Sequence, residues 1–215
     1  MIKAIGPKPA LQLGLFALAS AALLAGLHLM TRDAISHNET LRTAKLLAYV
    51  APATDSAPLK TELIIDNNAQ ALWQIIDKDE VVAVVLPFTA KGGYSGDIEL
   101  LVGLDNKLNI NGVRVTHHRE TPGLGDEIDT RRSEWIEVFK GNSLNNPAAD
   151  QWKVKKDGGV FDQFTGATIT PRAVVKSVKE ALLFGQQHQT QLFSAAKQSS
   201  KKEIVNGVAG DADSE

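Results

Sequence analysis

The residues of this chain best suited to chemistry lie in one short run, Asp162 to Val175, DQFTGATITPRAVV. Three threonines, Thr165, Thr168 and Thr170, crowd together with Gly166 and Ala167 where a segment of helical apolar spacing begins. Thr170 followed by Pro171 makes a sound helix start, with a side-chain oxygen at the N-cap and proline at the first helical position. Such a start also presents unpaired N–H groups and the positive end of the helix dipole, which suits a phosphate. Gly166 and Ala167 add almost no bulk, so a large group can approach the backbone closely. A threonine hydroxyl beside that site can carry a phosphate covalently.

A second run, HHRETPGLGDEI, contains Glu120-Thr121-Pro122-Gly123-Leu124-Gly125. Its simplest role is a Pro-Gly turn joining a strand to a helix, and the two glycines that permit tight turning also leave room for a planar group. His117 and His118 do not make a metal site: neighbours on a strand face opposite sides, so one ion is not within easy reach of both. The absence of cysteine removes disulfides, thiolate catalysis and iron–sulfur ligation. Net charge of −2 gives no electrostatic reason to expect nucleic acid as a partner. Gly92-Gly93-Tyr94-Ser95-Gly96 reads as a glycine-rich turn with Tyr94 packing nearby, and Trp73, Trp135 and Trp152 read as core or edge aromatics.

The elements that must hold these loops are those of an α+β domain with a mainly antiparallel sheet and flanking helices. LWQIID, VVAVVLPFTA, DIELLVGLD and INGVRVTHHRE are rich in β-branched residues, and the connections between them are short enough to favour antiparallel neighbours. DEIDTRRSEWIEVFKG is expected to be a helix with Ile128, Trp135, Ile136 and Phe139 on its buried side. WKVKKDGGVFDQF is expected to be a hairpin about Asp157-Gly158-Gly159. From Pro171 to Gln187 an amphipathic helix should bury Val174, Val178, Ala181 and Leu182.

Before the sheet, residues 9–30 carry no charge and are long enough to span a bilayer as a single uncleaved helix. The basic residues on its two sides nearly balance, so the positive-inside rule gives no clear orientation. A short cytoplasmic tail (1–8) with the large domain on the far side is the common arrangement for a span so near the N-terminus. Residues 31–58 are expected to form a juxtamembrane helix and a proline-broken linker, residues 59–193 the main domain, and residues 194–215 a disordered tail of small and polar residues.

Asp162-x-x-Thr165-Gly166-Ala167-Thr168 resembles the flavinylation motif of FMN-binding domains, in which the last threonine is joined to the FMN phosphate by a phosphoester bond. The resemblance implies that Thr168 is the acceptor, with Asp162 and Thr165 recognised by the flavin transferase or shaping the loop. Glu120 to Gly125 looks like the loop such domains fold beside the isoalloxazine ring, and the Gly-Tyr-x-Gly turn also has its counterpart there. One N-terminal span, a following helix, and the two loops in this order resemble the G subunits of bacterial Rnf (Rsx) ion-translocating electron transport complexes. The C subunit of the sodium-translocating NADH:quinone reductase shares the plan but is usually longer. The resemblance implies covalent FMN as cofactor, a single-pass inner-membrane protein with its flavin domain in the periplasm, and other membrane subunits as partners. The contrasting expectation is a membrane-anchored scaffold or sensor in which the threonines only start a helix. The chain has neither a dinucleotide fingerprint nor cluster ligands, so it is not expected to be catalytic alone.

Overall fold

The computed structural model describes residues 7–52 and 58–194. Residues 1–6 of the expected short tail (1–8), residues 53–57 of the linker and residues 195–215 of the expected disordered tail (194–215) lie outside the described residues. The chain divides into two compact units, Met1–Arg42 and Thr43–Glu215. In the first, helix α1 (Pro7–Val50, whose last turns belong to the second unit) contains the segment Leu11–Arg32, with mean hydropathy 2.0 and none of its side chains buried. Its 22 residues are enough to cross a hydrocarbon core. The expected span and the helix after it are therefore parts of one helix.

The second unit is built on a five-stranded antiparallel meander: β1 (Leu59–Ile65), β2 (Asn68–Asp77), β3 (Glu80–Gly93), β4 (Gly96–Asp105) and β5 (Ile110–His117), in that spatial order. Strand β1 is not among the strands expected from sequence. Its LKTELII alternates exposed and half-buried residues at a sheet edge, a weak signal beside the apolar runs of the central strands. The β1–β2 turn holds Asp66 and Asn67 at φ of 50° and 61°, and the β2–β3 turn holds Lys78 and Asp79 at 49° and 65°. Two consecutive left-handed residues match the right-handed twist of the strands they join.

Both faces of the central strands are covered. Val84 and Leu86 of β3 join the main core with Leu100, Val102, Val174, Val178 and Leu182, whereas Ala83 and Val85 face a smaller cluster with Leu47 and Val50 of α1. This two-sided burial accounts for the near-continuous apolar sequence of β3. The end of α1 fits closely because β4 and β5 present paired glycines, Gly103 opposite Gly112. A Cβ at Gly103 would stand 1.8 Å from the carbonyl oxygen of Val50, and one at Gly112 2.9 Å from that of Tyr49. Helix α2 (Ile169–Gln187) covers the other face, with all four expected apolar residues buried. The short α3 (Gln189–Leu192) follows, and the buried Gln74 amide donates to the Leu192 carbonyl at 2.7 Å.

Two expected elements differ. Residues 126–141 are not one helix but two 3-10 helices, Gly125–Ile128 and Trp135–Phe139. Side chains in the intervening stretch bond backbone groups that a continuous helix would need. Asp129 accepts the N–H of Arg131, Ser133 Oγ donates to the Glu127 carbonyl, and the Trp135 N–H donates to Ser133 Oγ. The apolar spacing is nevertheless informative: Ile128, Ile136 and Phe139 are buried and Trp135 is half-buried. Residues 152–164 are not a hairpin either. A 3-10 helix, Lys155–Asp157, ends on left-handed Gly158, and Val154 meets Phe161 in a parallel bridge. Gly159 passes so close to Lys153 that a Cβ would lie 1.9 Å from its carbonyl oxygen, which makes this a tight loop with no room for paired strands.

Candidate functional site

The loop bearing Thr165 to Thr168 is held from behind by aromatic packing. Trp135 meets Phe139 and Phe164 edge-on at 5.4 and 5.0 Å, and Phe161 lies between Phe139 and Trp152 at 5.0 and 4.9 Å. The Trp135 indole N–H donates to the Asp162 carbonyl at 2.8 Å, which fixes the chain just before the loop. Phe164 and Ala167 then bridge across a four-residue turn, with Gly166 at φ 79° in its third position. A positive φ there is what such a turn needs and what glycine supplies without strain.

Helix α2 starts two residues earlier than expected. Thr168 is its N-cap residue and makes no side-chain capping bond; its carbonyl accepts the Arg172 N–H at 3.3 Å. Thr170, expected to be the cap, lies inside the first turn, fully buried, and its hydroxyl donates to Glu120 Oε2 at 2.5 Å. Pro171 is tolerated as the third helical residue because the first N–H groups of a helix have no intrahelical acceptor. Thr168 is thus half-buried with a hydroxyl uncommitted to the helix.

Glu120 leaves β5 towards this helix. Its backbone N–H donates to His118 Nδ1 at 3.2 Å, and its buried carboxylate also accepts the Ser95 N–H at 3.0 Å. The Thr121–Gly125 turn that follows is closed by the Gly123 N–H on Asp126 Oδ1 at 2.7 Å, with Gly123 at φ 77°. Asp126 is itself buried against Arg132, 3.1 Å away. Nearby, Asp129 takes both the side chain and the backbone N–H of Arg131. Arg131 holds the Asp129 carboxyl down at about 2, against the opposing effect of burial, with a smaller contribution from His118.

These pieces enclose a pocket of about 320 Å³. Its walls bring together Glu120, Thr121, Leu124 and Gly125 from the first loop, Gly166, Ala167 and Thr168 from the second, and Ile169 and Thr170 from α2. The two loops nearly touch, since a Cβ on Gly166 would lie 3.8 Å from Leu124 Cδ2. Pro122, Gly123, Thr165 and Asp162 are not among the lining residues. Thr165 is exposed, and the Asp162 carboxylate points to solvent and pairs with Lys155 at 2.6 Å. Tyr94, whose turn reads from sequence as either packing or contact with the flavin, lines the pocket, and with Leu124 and Ile169 it gives the rim three exposed apolar groups. Ile169 was missed because its place among the threonines marked it only as part of a helix start. Among the described residues no cluster of His, Asp and Glu could hold a metal ion.

The pocket suits a flat aromatic group carrying a phosphate. Its volume is at the small end for organic-ligand sites, and its mouth is apolar. Small residues line the floor, and the start of a helix lies at one edge with a free hydroxyl beside it.

Comparison with known proteins agrees with this geometry. The FMN-binding domain family matches residues 93–183, a stretch that includes both loops, and the RnfG N-terminal region matches residues 1–50. The chain is 44% identical over 199 residues to the G subunit of the ion-translocating oxidoreductase complex of Cronobacter sakazakii, covering 89% of this chain and 95% of that one. The chain belongs to the family of these G subunits. Other members of the family match over similar lengths. The Escherichia coli G subunit is 44% identical over 89% of this chain and 96% of its own length, and that of Aliivibrio fischeri is 39% identical over 87% and 93%. In this member of the family the FMN-binding match runs from the β3–β4 turn to the later part of α2, so it contains the whole pocket.

Proposed function

We propose that this chain is the membrane-anchored flavoprotein subunit of an Rnf-type ion-translocating oxidoreductase complex, with FMN joined through its phosphate to Thr168. The observation that carries the reading is the meeting of two loops, distant in sequence, around one pocket with an uncommitted threonine hydroxyl at its edge. The family match and the FMN-binding domain match support the flavoprotein and subunit assignments. The apolar segment of α1 supports anchoring in the bilayer. The chemistry that FMN supplies when bound is reversible electron uptake. The protein's residues supply position and environment for it.

Thr168 Oγ1 would provide the tether, as the ester oxygen on the FMN phosphate. The N–H groups of Ile169 and Thr170 at the start of α2 would offer partial positive charge to the remaining phosphate oxygens. Thr121, Leu124, Gly125 and Tyr94 are the residues that would hold the ring and exclude water from its faces. Asp162 and Thr165 are outside the pocket and exposed, as residues read by a flavin transferase must be. A tether keeps the carrier from being lost between turnovers, which matters most if the domain faces the periplasm, the side we assign to it. Electrons would pass through this site between other subunits of the complex, while those subunits move the ion.

The test is a denaturing gel of membranes from cells that also express a flavin transferase, viewed under ultraviolet light after boiling. A yellow-green band at the mass of this chain is expected. A dark band on a chain shown to be expressed and membrane-bound would favour the scaffold.

A further inference from the structure

Glu120 is an unusual residue to find lining an apolar-rimmed pocket, because it is only 4% exposed and both its oxygens are engaged by the protein. Oε1 accepts the N–H of Ser95, in the β3–β4 turn beside Tyr94, and Oε2 accepts the hydroxyl of Thr170, two residues after Thr168. The two donors belong to different elements that meet at the pocket, the β3–β4 turn and the start of α2. The carboxylate lies in a slot between two glycines: a Cβ on Gly93 would stand 2.9 Å from Oε1, and one on Gly125 2.6 Å from Oε2. Burying a carboxylate is unfavourable unless it is well paired, and an apolar side chain fills a core at lower cost. A carboxylate does offer two acceptor oxygens at a fixed separation, with no donor of its own to satisfy.

We propose that Glu120 is a positioning residue, a rigid bracket that sets the width of the pocket by tying the Tyr94 wall to the Thr168 wall. The proposal rests on the reading that this pocket holds the flavin ring. Its role is geometric. Glutamine at this position can keep both links, with its carbonyl accepting from Ser95 and its amide donating to a Thr170 hydroxyl that has rotated. Alanine loses both links. Valine at position 170 loses one and preserves side-chain shape.

The test uses the full chain in detergent, prepared with and without a co-expressed flavin transferase. Visible circular dichroism and fluorescence anisotropy report how firmly the ring is held. Amide exchange at Ser95 in the flavin-free chain reports the bracket itself. Glu120→Gln should match the wild type in all three. Glu120→Ala should speed Ser95 exchange about tenfold, as loss of one net hydrogen bond implies, and should weaken the flavin dichroism and lower the anisotropy. Thr170→Val, which keeps the Ser95 link, should change the flavin signals with little change at Ser95, and Thr170→Ser should restore them. Wild-type dichroism and anisotropy in a folded Thr170→Val or Glu120→Ala chain would overturn the proposal. So would Glu120→Gln behaving like Glu120→Ala while Ser95 stays protected, because charge and not spacing would then be at work. A wild-type chain that carries no flavin would defeat the flavin reading, and the purpose of the bracket with it, whatever Ser95 exchange shows.

Discussion

Two glycines in the Glu120–Gly125 loop look interchangeable in the sequence, yet the structure makes them answer to different constraints. A methyl at Gly123 meets nothing within 4 Å, but the residue sits at φ 77°. Its replacement by alanine costs only the left-handed backbone, about 1 kcal/mol. Gly125 has no such backbone constraint; there the methyl would stand 2.6 Å from Glu120 Oε2 and 2.8 Å from Thr170 Oγ1. Those atoms are side-chain ends and can move apart, but moving apart breaks the bond between them. A hydrogen bond to a buried charged group is worth about 1.5–3 kcal/mol. For a domain of this size that lowers Tm by about 3–12 °C, against about 2–4 °C for Gly123→Ala. Thermal unfolding of the two flavin-free variants, followed by far-ultraviolet circular dichroism, measures the difference. Equal shifts, or a larger one for Gly123→Ala, would refute the argument that Gly125 is required for space beside the Glu120–Thr170 pair.

Other expectations follow from the same geometry. The chain lacking residues 1–32 should be soluble and folded, because it keeps the α1 turns with Leu47 and Val50 that cover one face of the sheet. Removing residues 1–52 instead should expose that face and cause aggregation, which light scattering of the two shortened chains would show. The Asp129 carboxyl is held below its ordinary value of 3.8, at about 2, so its contribution is complete above the ordinary value and is lost as pH falls through about 2. The contribution is modest, at most about 2 kcal/mol, because the partner Arg131 is exposed and screened by solvent. Asp129→Asn should therefore be less stable than the wild type at pH 5 and converge on it near pH 2. Urea unfolding at the two pH values checks this.

The sheet and the pocket were legible in the sequence for different reasons. Strands β2 to β5 announced themselves through β-branched runs separated by turn residues, and α2 through its apolar spacing. Strand β1 did not, because an edge strand alternates Lys60 and Glu62 with modest apolar residues and has nothing to mark it apart from its pairing with β2. The stretch from Gly125 to Phe139 had the right buried residues but the wrong backbone. Apolar spacing records which side chains face the core, whereas Asp129 and Ser133 decide locally whether a helix continues between them. In the pocket, small neighbours and a following helix marked the run from Thr165 to Thr170, and the resemblance to the flavinylation motif singled out Thr168, which lines the pocket. Thr170 was misread as a cap because its partner, Glu120, is fifty residues away in the chain, and no local rule reports a contact at that range. The place of Tyr94 in the wall depended on the same long-range folding of the β3–β4 turn towards α2.

The central claim is that Thr168 carries the flavin, and mass mapping tests it most directly. The wild-type chain, co-expressed with a flavin transferase, is digested with trypsin and the flavin-bearing peptide is fragmented. Between Lys156 and Arg172 the sequence has no Lys or Arg, so Thr165, Thr168 and Thr170 all fall in one peptide and only fragmentation separates them. The account predicts FMN mass on Thr168 alone, and none on the Thr168→Ala chain, whose Tm should stay within about 2 °C of the wild type because no capping bond is lost. FMN on Thr165 or Thr170, or an unmodified peptide from a chain that is nonetheless yellow, would contradict it.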